Sequence, residues 1–585
     1  MKFLHILLAT SFLASGVALA SEIPFPDQKK LDNKKVVHEN KIVSLKELGP
    51  RPGFAGYYLA ARHAQADQDW HAANHYFDIV SRKDPINIDM KRRSMVIAMG
   101  AGDLETAAKH AQNIVRKTPG DSLGSLFLSA KAFQAEDYKE ALKQLKSMES
   151  GGMSSFAAPV LKSWTKAALG QFDISDLQLQ PLDAFHVALI GQLLNKKEDS
   201  LSFLEKVLRA TQDEPSLKLA DAFLVLGEDK KAKDLYLALQ KLENSSSLSA
   251  RLTYLAKKNK KYKPSFLKAI SSSEGISTAY IDMAKILYAQ NSSDSARIFA
   301  HIGLNLSKDI EDAHILLAKI YSQTGQFNHA IYHYKQIDPK SRYATEVQLK
   351  ISEIKESLGQ KESAISGLKV QHEKSPNTDL VIQLGDIERR SENYRNAIIH
   401  YDEAINSFEE EVPDDYWYLY YVRGMSHERV GQWDLAETDF EKALEYRPND
   451  PFVLNYLAYG WAERDKNLTK ALEYLERAVS RRPTDGHIRD SLGWAFYKLG
   501  QYEQAIEPLE KAITYLPYDP VINEHLGDAY WQVGRKREAL FQWQRALNHV
   551  DESDVTVDIQ RLRDKLVSGL PDLNRVMAAE NKIVE

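Results

Sequence analysis

Cysteine is absent from all 585 residues. Disulfides, thiolate metal sites, a cysteine nucleophile and a lipid-bearing N-terminal cysteine are therefore excluded. Net charge is nearly absent too: 76 Lys and Arg against 81 Asp and Glu leave −5, which supplies no general attraction to nucleic acid. Beyond the N-terminal segment, no run approaches the ~20 apolar residues that span a bilayer. Glycine-rich phosphate loops, a nucleophile elbow and a Walker-type lysine are missing. Ser163-Trp164-Thr165-Lys166 fits Ser-x-x-Lys, but no supporting motif accompanies it. The histidine pairs His71/His75 and His329/His333 have i, i+4 spacing, yet lack the glutamate of an H-E-x-x-H site and an evident third ligand. His427-Glu428 lacks a second histidine. With 17 histidines in helical sequence, such spacings arise by chance. These absences lead us to expect a non-enzyme with no metal and no cofactor.

The N-terminus reads as a targeting segment. Lys2 is a short positive region, Phe3 to Val17 a mostly apolar stretch, and Ala18-Leu19-Ala20 an A-x-A site before Ser21. Residues 1–20 are expected to be a cleavable signal peptide, leaving a mature chain with no membrane span. The expected location is an exported compartment, most simply a bacterial periplasm. Residues 21–53 are an irregular leader broken by Pro24, Pro26, Pro50 and Pro52, with room for a short helix at 44–48.

The stretch 486–519 organises the rest. Leu492, Gly493 and Phe496 share one face of a first amphipathic helix, and Ala505, Leu509 and Ala512 one face of a second. Gly500 marks the turn between them and Pro517 the end. The pattern recurs through Leu526, Gly527, Tyr530, Gly534, Ala539, Trp543 and Ala546 over 520–553. Gly424, Gly431, Trp433, Ala436, Phe440, Ala443 and Pro448 carry it over 417–450. Leu457, Ala458, Ala471, Leu475, Ala478 and Pro483 carry it between these, with one extra turn residue. Small and large residues at a period of 34 resemble the tetratricopeptide repeat family.

The resemblance implies an all-α fold of helical hairpins stacked into a right-handed superhelix, an α-solenoid, because one hairpin cannot bury its own apolar face. It extends through an N-terminal array at 54–172, built from repeats 54–87, 88–121 and 122–155 and a truncated fourth. Residues 173–276 keep a helical period with a fading signature, one degenerate repeat standing at 213–246. The signature returns over a C-terminal array at 277–553, and residues 554–585 are expected to form a capping helix through Val557, Ile559, Leu562 and Leu566, then a tail. Three departures stand out: Arg489 and Asn523 where a large apolar residue is usual, Pro508 inside a helix, and Asp551 in place of a closing proline.

The family places repeat positions 2, 5, 9 and 12 on the concave face. In this chain those positions are aromatic: Tyr418, Tyr421, Phe452, Tyr459, Trp494, Tyr497 and Trp531, interleaved with Glu428, Glu463, Asp490, Lys498, Glu524 and Asp528. Core positions are already filled by other residues, so this surplus is expected to bind a partner, since Tyr and Trp anchor interfaces. The expected function is a non-catalytic exported scaffold that binds a protein or peptide, in envelope assembly, secretion or polysaccharide export. Alternatives are a glycan-binding module, with sugars stacked on the aromatics, and an enzyme with a concealed site. The lysine run Lys257, Lys258, Lys260, Lys261 and Lys263 reads as a solvated turn or an anion-binding patch.

Overall fold

The computed structural model describes residues 53–148, 152, 156–242, 246–257, 263–268, 270–308, 310–550 and 557–570. Residues 1–20, expected to be a signal peptide, the leader up to residue 52, Lys258, Lys260, Lys261, Asp551 and the tail from Pro571 lie outside the described residues. Among the described residues the regular structure is helical, with no strand. No helix among them is long and apolar enough to cross a membrane.

The hairpins arise from a short device repeated along the chain. One residue with positive φ closes the first helix, and the next residue caps the second. Gln68, Gly102 and Glu136 hold φ of 61°, 77° and 61°. Asp69, Asp103 and Asp137 follow them, each accepting a hydrogen bond from a backbone N–H of its helix at 2.9, 3.1 and 3.0 Å. Such caps satisfy donors that a helix start leaves unpaired. Positive φ then recurs at Gly170, Gly325, Gly359, Glu392, Gly431, Asp465, Gly500 and Gly534. Between Gly170 and Gly325 the spacing breaks, with positive φ at Asn195, Gln212, Asp213, Gly227 and Asn291. That interval contains the region where the signature fades.

The chain divides into two compact units, one ending at Asp338 and the other beginning at Pro339. The first opens with hairpins Phe54–Ala66/Trp70–Lys83, Ile88–Gly100/Leu104–Lys117 and Ser122–Gln134/Tyr138–Ser147. Helix Ala158–Ala168 follows, and residues 171–180 after it are not helical. Two further hairpins, Pro181–Leu194/Lys197–Ala210 and Leu217–Val225/Asp229–Gln240, precede the single helix Ser246–Lys257. In the Leu217–Val225/Asp229–Gln240 hairpin Leu219, Ala220, Phe223, Ala232 and Tyr236 are all fully buried. Ser163 and Trp164 are buried in the Ala158–Ala168 helix, and Lys166 pairs with Asp173 at 2.8 Å, so the Ser-x-x-Lys residues are structural.

This N-terminal unit then folds back on itself. Helix Ser272–Ala289 packs on Ala158–Ala168 and Pro181–Leu194, and helix Ser293–Leu306 packs on Ile88–Gly100 and Ser122–Gln134. Gly275 makes the first approach possible, since a Cβ there would lie 2.1 Å from the Trp164 ring. Gln134 and Asn305 exchange two hydrogen bonds of 2.8 Å. The Gln326 side chain donates to the Gln68 carbonyl.

The C-terminal unit is a plain succession of hairpins, each packed on the next. Its last four are Tyr418–Arg429/Trp433–Tyr446, Pro451–Glu463/Leu468–Arg481, Gly486–Lys498/Tyr502–Tyr515 and Pro520–Gln532/Lys536–His549. Ala436, Ala443, Ala471, Ala478, Ala505, Ala512, Ala539 and Ala546 are all fully buried, as close helix contacts require. Arg489 and Asn523 have a shared local role. Each bonds the carbonyl of the proline six residues earlier, Arg489 to Pro483 at 2.5 Å and Asn523 to Pro517 at 3.2 Å. A polar residue at this position thus ties down the turn between repeats. Helix Tyr502–Tyr515 runs through Pro508, which is buried. Helix Ile559–Ser568 caps the last hairpin through Leu562, together with Val557 just before it, both buried.

Candidate partner-binding face

The seven aromatics all lie on first helices of the C-terminal unit, and six are half-buried. Phe452 is 40% exposed, with the Arg482 guanidinium 5.2 Å from its ring centroid. Tyr418 and Tyr421 pack against apolar clusters, and Tyr421 meets Tyr456 edge-on at 5.6 Å. These two tyrosines therefore contribute to packing between repeats as well as to the surface. Trp531 packs on Trp543 at 5.3 Å and lies against Gly569, where a Cβ would come within 1.8 Å of its ring. Gly569 thus covers part of Trp531, which is half-buried.

Tyr459, Trp494 and Tyr497 belong to a more polar arrangement. Trp494 stacks on Tyr497, centroids 4.8 Å apart with 5° between planes, and on His525, 4.0 Å apart at 12°. Its indole N–H donates to Glu463 at 2.5 Å. His525, which was not foreseen from the sequence, faces Asp490 through Nδ1 at 3.0 Å. Burial lowers the His525 pKa, but Asp490, Asp528 and Glu524 outweigh it and hold the imidazole above its ordinary value. The Tyr459 hydroxyl is pushed well up, first by burial and then by four carboxylates: Glu463, Asp490, Glu428 and Glu524. The face beside Tyr459 is thus acidic as well as aromatic.

At its C-terminal end the capping helix supplies the cations. Lys565 Nζ lies 2.6 Å from Glu524 and 2.7 Å from both oxygens of Asp528, all three side chains buried. Arg561 reaches Glu524 at 2.8 Å. Trp543 Nε1 donates to Asp528 at 2.8 Å. Glu524 and Asp528 were expected on an open face; the structure places them under the cap. Only a contact some 40 residues away in sequence decides this, so the repeat pattern could not reveal it. Among the described residues, no group of three or more His, Asp and Glu side chains is arranged to hold a metal ion.

Two stretches of the chain match repeat profiles: residues 417–450 match one described as "Tetratricopeptide repeat" and residues 493–534 one described as "TPR repeat". The chain is 26% identical over 196 residues to the TPR repeat-containing protein PA4667 of Pseudomonas aeruginosa, covering 34% of this chain and 32% of that protein. It is 36% identical over 58 residues to Tetratricopeptide repeat protein 17 of Danio rerio, or 10% of this chain and 5% of the other. The chain therefore spans about a third or less of these relatives' length. Among solved structures it is similar to a tetratricopeptide repeat protein from Parabacteroides merdae, at 15% identity and a TM-score of 0.36, covering 45% of this chain and 100% of that one. The Cut9-Hcn1 hetero-tetramer of the APC/C gives the same identity and score over 89% of this chain and 97% of that one.

Proposed function

Since the chain belongs to the tetratricopeptide repeat family, we propose that it is a non-catalytic scaffold whose C-terminal unit holds a basic, extended segment of a partner protein. Glu428 and Glu463 carry this reading: both lie near the Tyr459 hydroxyl and stay accessible, whereas Asp490 and Glu524 are buried and already paired with His525 and with Lys565 and Arg561. A Lys or Arg side chain would meet carboxylates at its head and aromatic surface along its stem. The cap supports the same chemistry, because Lys565 and Arg561 already make this contact at the end of the face. Trp494 already stacks on Tyr497 and His525, which favours a peptide over a sugar ring as its further partner. The signal-like N-terminus supports a role in the cell envelope, in assembly, secretion or polysaccharide export.

Peptides graded in Lys and Arg content, titrated against the full chain, test the proposal. Affinity should rise with basic residues and fall with added salt. Glu463→Gln with Glu428→Gln should weaken binding about tenfold or more, and Trp494→Ala by an amount on the scale of an aromatic anchor, roughly 2 kcal/mol. Equal binding of acidic peptides, or unchanged affinity in both variants, would refute it. Recovery of glycan without protein from envelope extract would favour a sugar-binding role instead. Export is tested separately: sequencing protein from an export-competent host should begin at Ser21, and a membrane-bound chain starting at Met1 would contradict it.

A further inference from the structure

The seam where the N-terminal unit folds back carries a cluster of histidines around one unpaired cation. His71 comes from helix Trp70–Lys83; Arg297 and His301 come from Ser293–Leu306. His314 and Tyr321 lie on Glu311–Gln323, and His329 and His333 on Phe327–Tyr334. Sequence spacing pairs His71 with His75 and His329 with His333. The fold instead stacks His71 on His329, centroids 4.2 Å apart and planes 13° apart. His314 and His333 face each other through Nδ1 at 3.0 Å. His301 Nε2 lies 3.1 Å from the Tyr321 hydroxyl, and a Cβ on Gly102 would sit 3.0 Å from the same imidazole.

Arg297 is fully buried, and none of its three guanidinium nitrogens has a hydrogen-bond partner. It lies between the rings of Trp70 and Tyr321, at 4.9 and 5.1 Å. Its cation–π contacts cross the seam, since Trp70 belongs to the first hairpin. A buried guanidinium with no hydrogen-bonded carboxylate, and only the through-space field of Asp294 to offset it, is a fixed positive charge in a poorly solvated place.

This geometry is incompatible with further positive charge. A Nδ1···Nδ1 hydrogen bond needs a lone pair on one nitrogen, so His314 and His333 cannot both be imidazolium in this arrangement. Stacked His71 and His329 would likewise become adjacent like charges. Around them, Asp69 favours protonation of His71 and His329, while Arg297 and the neighbouring histidines oppose it. Asp294 interacts with Arg297, a backbone group of Lys308 bonds His314, and His75 stands one turn from His71. His333 is buried, His301, His314 and His329 are half-buried, and His71 stays open to solvent at the rim. Protons therefore have a way in.

We infer that the seam is a proton-operated latch, closed while its histidines are neutral and released from the helices Ser293–Tyr334 when they are protonated. The direction follows from linkage. Burial first, then His314, His329 and His71, holds His333 at about 3 in the closed state. Burial also holds His301 well below its ordinary value, and His314 and His329 below theirs. Groups with depressed folded pKa values stabilise the closed state above their free value of about 6.5 and lose that contribution as pH falls. Each imidazole that is neutral when closed and protonated when open raises the opening equilibrium by up to ~10-fold per pH unit. Two such groups give up to ~100-fold.

Hydrogen exchange of the full chain at pH 7, 6 and 5, with labelling times scaled to the chemical exchange rate, reads the latch directly. Peptides from Ile88–Gly100, Ser122–Gln134 and Ser293–Leu306 should lose protection as pH falls, with Leu468–Arg481 of the C-terminal unit as the control. His314→Asn with His333→Asn should move the opening midpoint lower by about one pH unit, since two of the titrating groups are gone. If that variant is poorly folded at pH 7, Arg297→Met provides the second test: removing the fixed cation should also lower the midpoint. Loss of protection equal to the control, no loss by pH 5, or a midpoint unmoved in the folded variants would overturn the inference.

Discussion

The two units use one hairpin for different ends. In the C-terminal unit, each hairpin packs on the next in sequence, and small buried residues such as Ala505, Ala512 and Ala539 recur where helices meet. In the N-terminal unit, the helices Ser272–Ala289 and Ser293–Leu306 return to helices far earlier in the chain, Ala158–Ala168 and Pro181–Leu194 for the first and Ile88–Gly100 and Ser122–Gln134 for the second. Their contacts are a Trp on a Gly, a Gln on an Asn and an Arg between two aromatic rings, none of them part of a repeating signature. A repeat pattern records what adjacent copies need of each other. It carries no record of a contact made only once.

The largest expected effect compares two fully buried tryptophans. Trp543→Ala and Trp164→Ala should each cost about 3–5 kcal/mol. After Trp543→Ala, lost hydrogen-exchange protection should stay within the neighbouring hairpins. After Trp164→Ala it should appear both around 158–168 and in Ser272–Ala289, because Trp164 packs on Gly275. Identical spreading in the two variants would erase the distinction between a nearest-neighbour stack and a closed unit.

Lys565→Met tests a buried ionic contact that the C-terminal unit makes across about 40 residues. It leaves Glu524 and Asp528 buried without their cation, which should cost about 3–5 kcal/mol in urea unfolding. A variant of unchanged stability would mean that the cap detaches freely. A smaller effect belongs to the repeat register. Ala505→Leu or Ala512→Leu should cost on the order of 1–3 kcal/mol by overpacking, and no change in thermal midpoint would place these residues outside the helix contact.

The smallest effect is one of sign. His525 is held above its ordinary value despite burial, by Asp490, Asp528 and Glu524. A raised folded pKa gives stability that is full below the unfolded value of about 6.5 and is lost as pH rises through the folded one. The histidines at the N-terminal seam have depressed values and behave oppositely. Unfolding midpoints of peptides from each unit, followed by hydrogen exchange from pH 5 to 8, should therefore drift in opposite directions. His525→Gln should flatten only the C-terminal drift.

Much of the architecture was legible because its causes are local. Gly500 and Gly534 mark turns that require positive φ, and Leu219, Phe223 and Tyr236 mark a degenerate hairpin that proves fully formed. The repeat of 417–450 coincides with the matched profile to the residue. The candidate face was legible only in part. Tyr459, Trp494 and Tyr497 were visible from their repeat positions, but His525 was not, because it stands where a repeat usually shows nothing distinctive. Trp531 was expected in the open and is half-buried, packed against Trp543 and Gly569. The i, i+4 histidine pairs were read as chance spacing; the fold joins His71 and His329 to partners on other helices instead.

By itself, the sequence determined the hairpins, their period and the alternation of small and large residues between neighbours. Those features depend on backbone sterics, capping and packing within a few tens of residues, and each leaves a mark at a predictable spacing. Only the tertiary structure decided which carboxylates face outward and which take Lys565, and that Arg297 sits unpaired between Trp70 and Tyr321. Those outcomes depend on which distant surfaces meet, and a contact between surfaces far apart in the chain leaves no period to read.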